Sequence, residues 1–100
     1  MLSATDIIHA IEGRRDEVRR LGVRSLMLFG SYARGEATPE SDLDFLVEYE
    51  PGRGLFDDYV GLLQLLEDLF GKKVDLVKRH LVRDELKPYI LGGEQLAAHL

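Results

Sequence analysis

The residues best suited to chemistry in this sequence are two aspartates separated by one residue, Asp42 and Asp44, in the segment DLDFLV. Alternate side chains of an extended strand share a face, so both carboxylates point the same way, with Cα atoms about 6.5 to 7 Å apart. Neighbouring carboxylates repel each other unless a cation lies between them, and Mg²⁺ prefers such oxygen ligands. The pair therefore predicts either a divalent cation site or two solvated aspartates on an exposed strand face.

A second group with chemical potential lies upstream, where an apolar run ends at Gly30 and Ser31. A glycine at a strand end lets a ligand approach the backbone, and successive N–H groups in such a turn can bind an anion. The Ser31 hydroxyl can donate to a phosphate oxygen. Arg34 can contact a phosphate or instead hold its own loop together. Taken alone, a Gly-Ser pair after a strand is more often a plain turn.

The elements that must position these residues follow from periodicity and from capping signals. Apolar residues recur at helical spacing from Ala4 to Arg20 and, most clearly, from Leu55 to Phe70, which ends at Gly71 with two lysines beyond it. Short apolar or alternating runs predict three strands, at Val23–Phe29, Asp42–Tyr49 and Val74–Lys78, with a turn region from Gly30 to Ser41. A last helix is expected at 84–91, and the end of the chain could be a helical turn or an edge strand. The order predicts one domain over residues 1–100, an α/β (α+β) fold in which helices pack on a small mixed β-sheet.

Composition excludes several classes of function. The 100 residues include no cysteine, so disulfides and thiolate metal sites are excluded and any metal must be held by oxygen or histidine. The net charge of −5 argues against an extended nucleic-acid interface, because such affinity comes mainly from clustered Lys and Arg. The sequence has neither a membrane-spanning apolar run nor a secretory signal pattern, so we expect a cytoplasmic protein without a membrane partner.

The run GSYARGEATPESDLDFLV at residues 30–47 resembles the signature of the DNA polymerase β-like nucleotidyltransferases, a Gly-Ser pair followed after ten residues by Asp-x-Asp. In its fuller form it is similar to the small stand-alone members called minimal nucleotidyltransferases (MNT). The resemblance includes the Ala-Arg-Gly after Gly-Ser and the serine before the first aspartate. It extends more weakly through the long helix, the strand bearing Asp75 and the segment LKPYI at 86–90.

The resemblance implies a site for two Mg²⁺ ions and ATP. Asp42 and Asp44 would bind both ions, and Asp75 matches the position of a third acid that completes the ligation of one ion and is a candidate proton acceptor. Ser31 would hold the terminal phosphates of the nucleotide while Gly30 allows their approach. A solvated aspartate at a strand end is the alternative interpretation of Asp75.

The resemblance also implies a partner, because larger family members carry a further domain for the acceptor and this sequence ends after the catalytic core. MNT proteins are often paired with a HEPN-domain ribonuclease toxin, which they silence as antitoxins by transferring AMP onto a tyrosine. Protein adenylylation is therefore the expected activity. Two alternatives stay open: a non-catalytic antitoxin that neutralises its partner by contact, and a nucleotidyltransferase acting on a small molecule.

Overall fold

The computed structural model describes residues 2–79 and 95–100 of the chain. Along the chain the described elements are α1 (Ala4–Glu12), α2 (Arg15–Arg20), β1 (Val23–Phe29), α3 (Gly30–Arg34), β2 (Leu43–Tyr49), α4 (Phe56–Phe70), β3 (Val74–Lys78) and β4 (Leu96–Ala97). The strands form one sheet in the order β3-β2-β1-β4, in which β2 and β3 are parallel and the other pairs are antiparallel. This mixed sheet with helices packed on it confirms the predicted fold class.

One face of the sheet forms the hydrophobic core. On β2 the core residues are Leu43, Phe45 and Val47, all at most 1% exposed, as the alternation of the strand predicts. On β1 the same face carries Leu26 and Leu28, which pair with Val47 and Phe45. The core face therefore fixes the register of β1 on β2, because a slip by one residue would turn this apolar set towards solvent.

Helices cover the core face with their apolar stripes. Helix α4 buries Leu62 and Leu66, and its last residue, Phe70, stacks on Phe45 with ring centroids 6.4 Å apart. Helix α1 starts with a capping box in which Ser3 and Asp6 satisfy each other's backbone N–H groups. These contacts cover the core face of the sheet, and on the opposite face Leu46 of β2 is also buried, at 2% exposed.

Two predictions about the helices are wrong. The expected continuous helix from Ala4 to Arg20 is interrupted after Glu12, where Gly13 has low helix propensity and Arg14 N donates to Ile11 O in a tighter turn. The expected turn region from Gly30 to Ser41 begins with a five-residue helix, α3. A helix this short contains too few residues for apolar periodicity to reveal it.

The chain end and the strand bounds complete the comparison. The structure decides the conformation of the last residues in favour of an edge strand, because β4 pairs with β1 through Met27 and Leu28. Strand β2 starts at Leu43, so Asp42 lies just before the strand and not within it. The helix predicted at 84–91 lies outside the described residues. In residues 2–79 and 95–100, no helix is long and apolar enough to span a membrane.

Candidate active site

The second face of the sheet brings two predicted site carboxylates together at the same level. Strands β2 and β3 run parallel, and their register pairs Asp44 with Asp75. The residues that flank this pair on each strand are buried in the core face, so both aspartates point away from the core. Asp42 lies two residues before Asp44, and we refer to Asp42, Asp44 and Asp75 together as the acidic edge. Parallel pairing thus places on one surface two acids that are 31 positions apart in the chain.

The electrostatics of Asp44 show that the three carboxylates affect one another. Partial burial, followed by the negative charges of Asp75 and Asp42, raises the pKa of Asp44 above its usual value. The positive charge of Arg34 opposes this rise. A cation that binds beside Asp44 therefore stabilises the ionised form of its carboxyl group.

Position 30 requires a glycine for two reasons, its backbone conformation and the space that Asp44 occupies. Its φ of 76° is one that residues with a side chain rarely adopt. In addition, a Cβ at this position would collide with Oδ2 of Asp44, so the bare glycine packs directly against that carboxylate. Ser31 follows in the first turn of α3 and is half-buried, and its carbonyl oxygen accepts a hydrogen bond from Glu36 N at 2.9 Å. The Gly-Ser pair and the Asp-x-Asp motif are therefore adjacent in space as well as in sequence.

Arg34 lies at the end of α3 and pairs within its own loop. Its Nε donates to Oε2 of Glu36 at 3.1 Å, and its side chain remains 48% exposed. This contact corresponds to the loop-holding role that the sequence left open for Arg34. Its effect on the pKa of Asp44 places its charge close to the acidic edge, and a contact with nucleotide stays a prediction.

The donor set of the acidic edge consists of oxygen atoms and suits a hard divalent cation. In the described residues no three Asp, Glu or His side chains are arranged to hold one metal ion by themselves. Mg²⁺ is usually bound through one or two carboxylates together with water and substrate phosphates, and not in a cage made only of protein. The half-buried carboxylate of Asp44, which lies beside Gly30 and has a raised pKa, fits that mode of binding, in which the nucleotide supplies further ligands.

The sequence interpretation did not include Lys73 among the site residues. Its Nζ lies 4.0 Å from Oδ2 of Asp42. In the sequence this lysine is only a cation beyond the end of α4. It lies just before β3, two residues before Asp75, and its nearness to Asp42 follows from the pairing of β3 with β2.

Comparison with known proteins agrees with this geometry. The family model of the nucleotidyltransferase domain matches residues 11–94. The protein adenylyltransferase MntA of Thermococcus cleftensis is 37% identical over 92 residues, which are 91% of this chain and 92% of that protein. A provisionally assigned protein adenylyltransferase of Methanocaldococcus jannaschii is 44% identical over 69 residues, which are 68% of this chain and 66% of that protein.

Solved structures give the same result. A provisionally assigned minimal nucleotidyltransferase superimposes with a TM-score of 0.69 at 37% identity, covering 93% of this chain and 95% of that one. A mutant of the MntA–HpeT toxin–antitoxin pair superimposes with a TM-score of 0.64 at 28% identity, covering 96% of this chain and 72% of that one. The chain belongs to the nucleotidyltransferase domain family, among its minimal members related to MntA.

Proposed function

We propose that this chain transfers AMP from ATP to a hydroxyl group, of a tyrosine, on a partner HEPN ribonuclease toxin, and thereby acts as an antitoxin. The observation that carries the proposal is the alignment of Asp44 with Asp75 on parallel strands, directly beside Gly30. Carboxylates that can hold divalent counter-ions, beside a glycine turn whose backbone N–H groups can bind an anion, suit nucleotidyl transfer.

Each site residue has a role in this reaction. Asp42, Asp44 and Asp75 would hold two Mg²⁺ ions together with the phosphates of ATP, and Ser31 would bind the terminal phosphates. When bound, the ions supply activation of the acceptor hydroxyl and neutralisation of charge on the departing pyrophosphate. A bond forms between the acceptor oxygen and the α-phosphorus, and the bond from that phosphorus to pyrophosphate breaks.

Asp75 is the site carboxylate most open to an incoming acceptor. Its side chain is exposed, whereas that of Asp44 is half-buried. An exposed carboxylate on the reacting face can be approached by a hydroxyl on a second protein and can take the proton that this hydroxyl loses. Arg34, whose positive charge reaches the acidic edge, is a further candidate for contact with the nucleotide.

The relatives support the choice of nucleotide and of partner. The Thermococcus cleftensis relative, which aligns over nearly the full length of both chains, is named a protein adenylyltransferase. The MntA–HpeT structure, at 28% identity, is a toxin–antitoxin pair. The side chains of the site do not themselves select ATP or tyrosine, so AMP transfer rests on the named relatives and on the resemblance, and tyrosine rests on the resemblance alone.

A labelling experiment tests the proposal. The purified chain is incubated with Mg²⁺ and a purified HEPN ribonuclease toxin as the candidate partner, with ATP labelled on either the α- or the γ-phosphate. We expect label on the HEPN protein from α-labelled ATP only, loss of its ribonuclease activity, and a modified tyrosine in the mass spectrum. The Asp42→Ala/Asp44→Ala variant, confirmed as folded by its circular dichroism spectrum, should transfer no label.

The same experiment separates the alternatives. If the double variant still silences the ribonuclease at an equimolar ratio without labelling it, the chain is an antitoxin that acts by contact. If the HEPN protein stays unlabelled while a small hydroxylated compound in a cell extract becomes labelled, the acceptor is a small molecule. Full transfer by the double variant would show that the acidic edge is not the active site.

A further inference from the structure

Lys73 is held by the backbone next to the acidic edge. Leu43 N donates to Lys73 O at 3.1 Å, which ties the residue before β3 to the start of β2. The next pair in the parallel register is Leu43 with Val74, and both of these residues are buried in the core face. Lys73 and Asp42 lie one residue before this pair, just outside the two strands, and the distance of 4.0 Å between Lys73 Nζ and Asp42 Oδ2 shows that their side chains lie together. Two pairs result along the edge, Asp42 beside Lys73 and Asp44 beside Asp75.

The Lys73 ammonium is the one cation that pairs with a carboxylate of this edge within the described residues. Its Nζ lies 4.0 Å from Oδ2 of Asp42. The neighbouring Lys72 is engaged elsewhere: its Nζ donates to Pro39 O at 2.8 Å and lies 5.8 Å from the centroid of the Tyr32 ring. Of the two adjacent lysines, one fastens the loop before β2 and the other faces the site.

The contact between Lys73 and Asp42 is too long and too exposed to contribute much to folding stability. The distance is at the limit of an ion pair, and the two side chains are 73% and 41% exposed. Pairs of this kind contribute little to folding stability, because solvent screens them and the long side chains lose conformational freedom. The lysine stem is long and flexible, so its ammonium can reach a second acceptor close to Asp42.

We propose that Lys73 is a nucleotide-contacting residue, whose ammonium lies against Asp42 when the site holds no ligand and binds a phosphate oxygen of ATP when Mg²⁺ is held by the carboxylates. The inference rests on the nucleotide site proposed above. A divalent cation beside Asp42 would repel the ammonium, while the negative charges of a triphosphate bound to that cation would attract it. Lysine commonly binds phosphate in this way, as a mobile point charge.

The test measures binding in the absence of an acceptor protein. Isothermal titration of a non-transferable ATP analogue with Mg²⁺ is compared for the wild-type chain, Lys73→Gln and Lys73→Arg. Arg15→Gln is the matched control, because Arg15 is an exposed cation of α2 that has no described partner. For Lys73→Gln we expect an affinity loss of about fivefold, the effect of one unit charge at 4 Å in water. The loss should shrink at high salt, be restored by Lys73→Arg and be absent in Arg15→Gln.

A second titration, with Mn²⁺ alone, tests whether Lys73 acts only by ordering the carboxylate of Asp42. If Lys73 only orders that carboxylate, Lys73→Gln should weaken Mn²⁺ binding, and this result would overturn the proposal. If Lys73 binds phosphate, loss of a positive charge should leave Mn²⁺ binding equal or tighter. Unchanged affinity of Lys73→Gln for the nucleotide overturns only this inference, whereas failure of the wild-type chain to bind nucleotide overturns the proposed function with it.

Discussion

Asp44 and Asp58 are both aspartates that lie beside a glycine, yet the structure treats their charges in opposite ways. Asp58 accepts hydrogen bonds from Nε and Nη2 of Arg53 and from Gly54 N, each at 2.9 Å, and these bonds lower its pKa to about 2. For Asp44, burial and the like charges around it raise the pKa. The hydrogen bonds to Asp58 stabilise its charge within the fold, whereas the charge of Asp44 would be stabilised by a cation bound beside it.

The Asp58 region shows what a satisfied charge accomplishes. Besides binding Asp58 at the start of α4, Arg53 donates from Nη2 to Arg20 O at 2.8 Å, at the end of α2. The same loop is fastened to β3, where Lys78 Nζ donates to Gly54 O at 2.7 Å. We refer to Arg53, Gly54, Asp58 and Lys78 as the loop clasp. It joins three elements and has the density of contacts that the acidic edge lacks.

The largest effect is expected from Asp75→Asn. Removal of the third carboxylate should lower transfer by roughly 10²- to 10³-fold, the range seen when one electrostatic group is lost from an active site. Because Asp75 is exposed, the melting temperature should stay at the wild-type value. Transfer is measured by α-label incorporation, with Asp16→Asn as a control on an exposed aspartate of α2. Turnover near that of the wild type in a folded Asp75→Asn protein would mean that the third acid is assigned wrongly.

A matched pair of glycines gives the next effect. Gly30 and Gly35 have φ of 76° and 73°, so alanine at either position has the same backbone penalty of about 1 to 2 kcal/mol. At Gly35 an added Cβ meets no atom within 4 Å, while at Gly30 it collides with Asp44. We expect both variants to lose stability in urea unfolding, and Gly30→Ala to lose more, because its Cβ also collides with Asp44.

Transfer separates the two glycine variants. Gly30→Ala should also lose nucleotide affinity and transfer, because the added Cβ displaces the Asp44 carboxylate, whereas Gly35→Ala should keep both. Equal activity of the two variants would indicate that Gly30 serves the backbone alone and that Asp44 tolerates a displaced position.

Three strands of this fold could be predicted because each is a short apolar or alternating run, and glycines directly bound β1. The predicted bounds of β1 and β3 are those observed, and α4 starts one residue later than expected, at Phe56. Helix α3 escaped prediction, since five residues after a glycine carry no periodic signal. The break after Glu12 was missed because the apolar positions on either side of it keep helical spacing.

The site could be predicted only in part from local pattern. Strand alternation places Asp42 and Asp44 on one face, but the pairing of Asp44 with Asp75 depends on which strands are neighbours. The order of the strands in the sheet brings together residues on either side of the long helix α4, and it cannot be inferred from sequence spacing. Asp75 is therefore predicted from the resemblance alone. Lys73 was missed for the same reason. The proposed role of Lys73 at the site depends on β3 lying beside β2.

The smallest expected effect concerns stability and its dependence on pH. The pKa of Asp58 is lowered in the folded chain from 3.8 to about 2, so its ionised form stabilises the fold above pH 3.8, and this contribution is lost as the pH falls towards 2. Asp58→Asn should therefore melt at a lower temperature than the wild type at neutral pH and lose less on acidification. Asp44 has the opposite sign, because its raised pKa means that ionisation destabilises the fold.

Asp44→Asn should then melt at the same or a higher temperature than the wild type at neutral pH, although we expect it to be inactive. Thermal melts of the two asparagine variants across an acid series measure both predictions, with Arg14→Gln, which breaks an exposed ion pair to Glu17, as the reference for an unimportant charge. A lower melting temperature for Asp44→Asn at neutral pH would show that its carboxylate is satisfied within the fold. The contrast between a structural and a ligand-binding aspartate would then be wrong, and the acidic edge would need a structural explanation similar to that of the loop clasp.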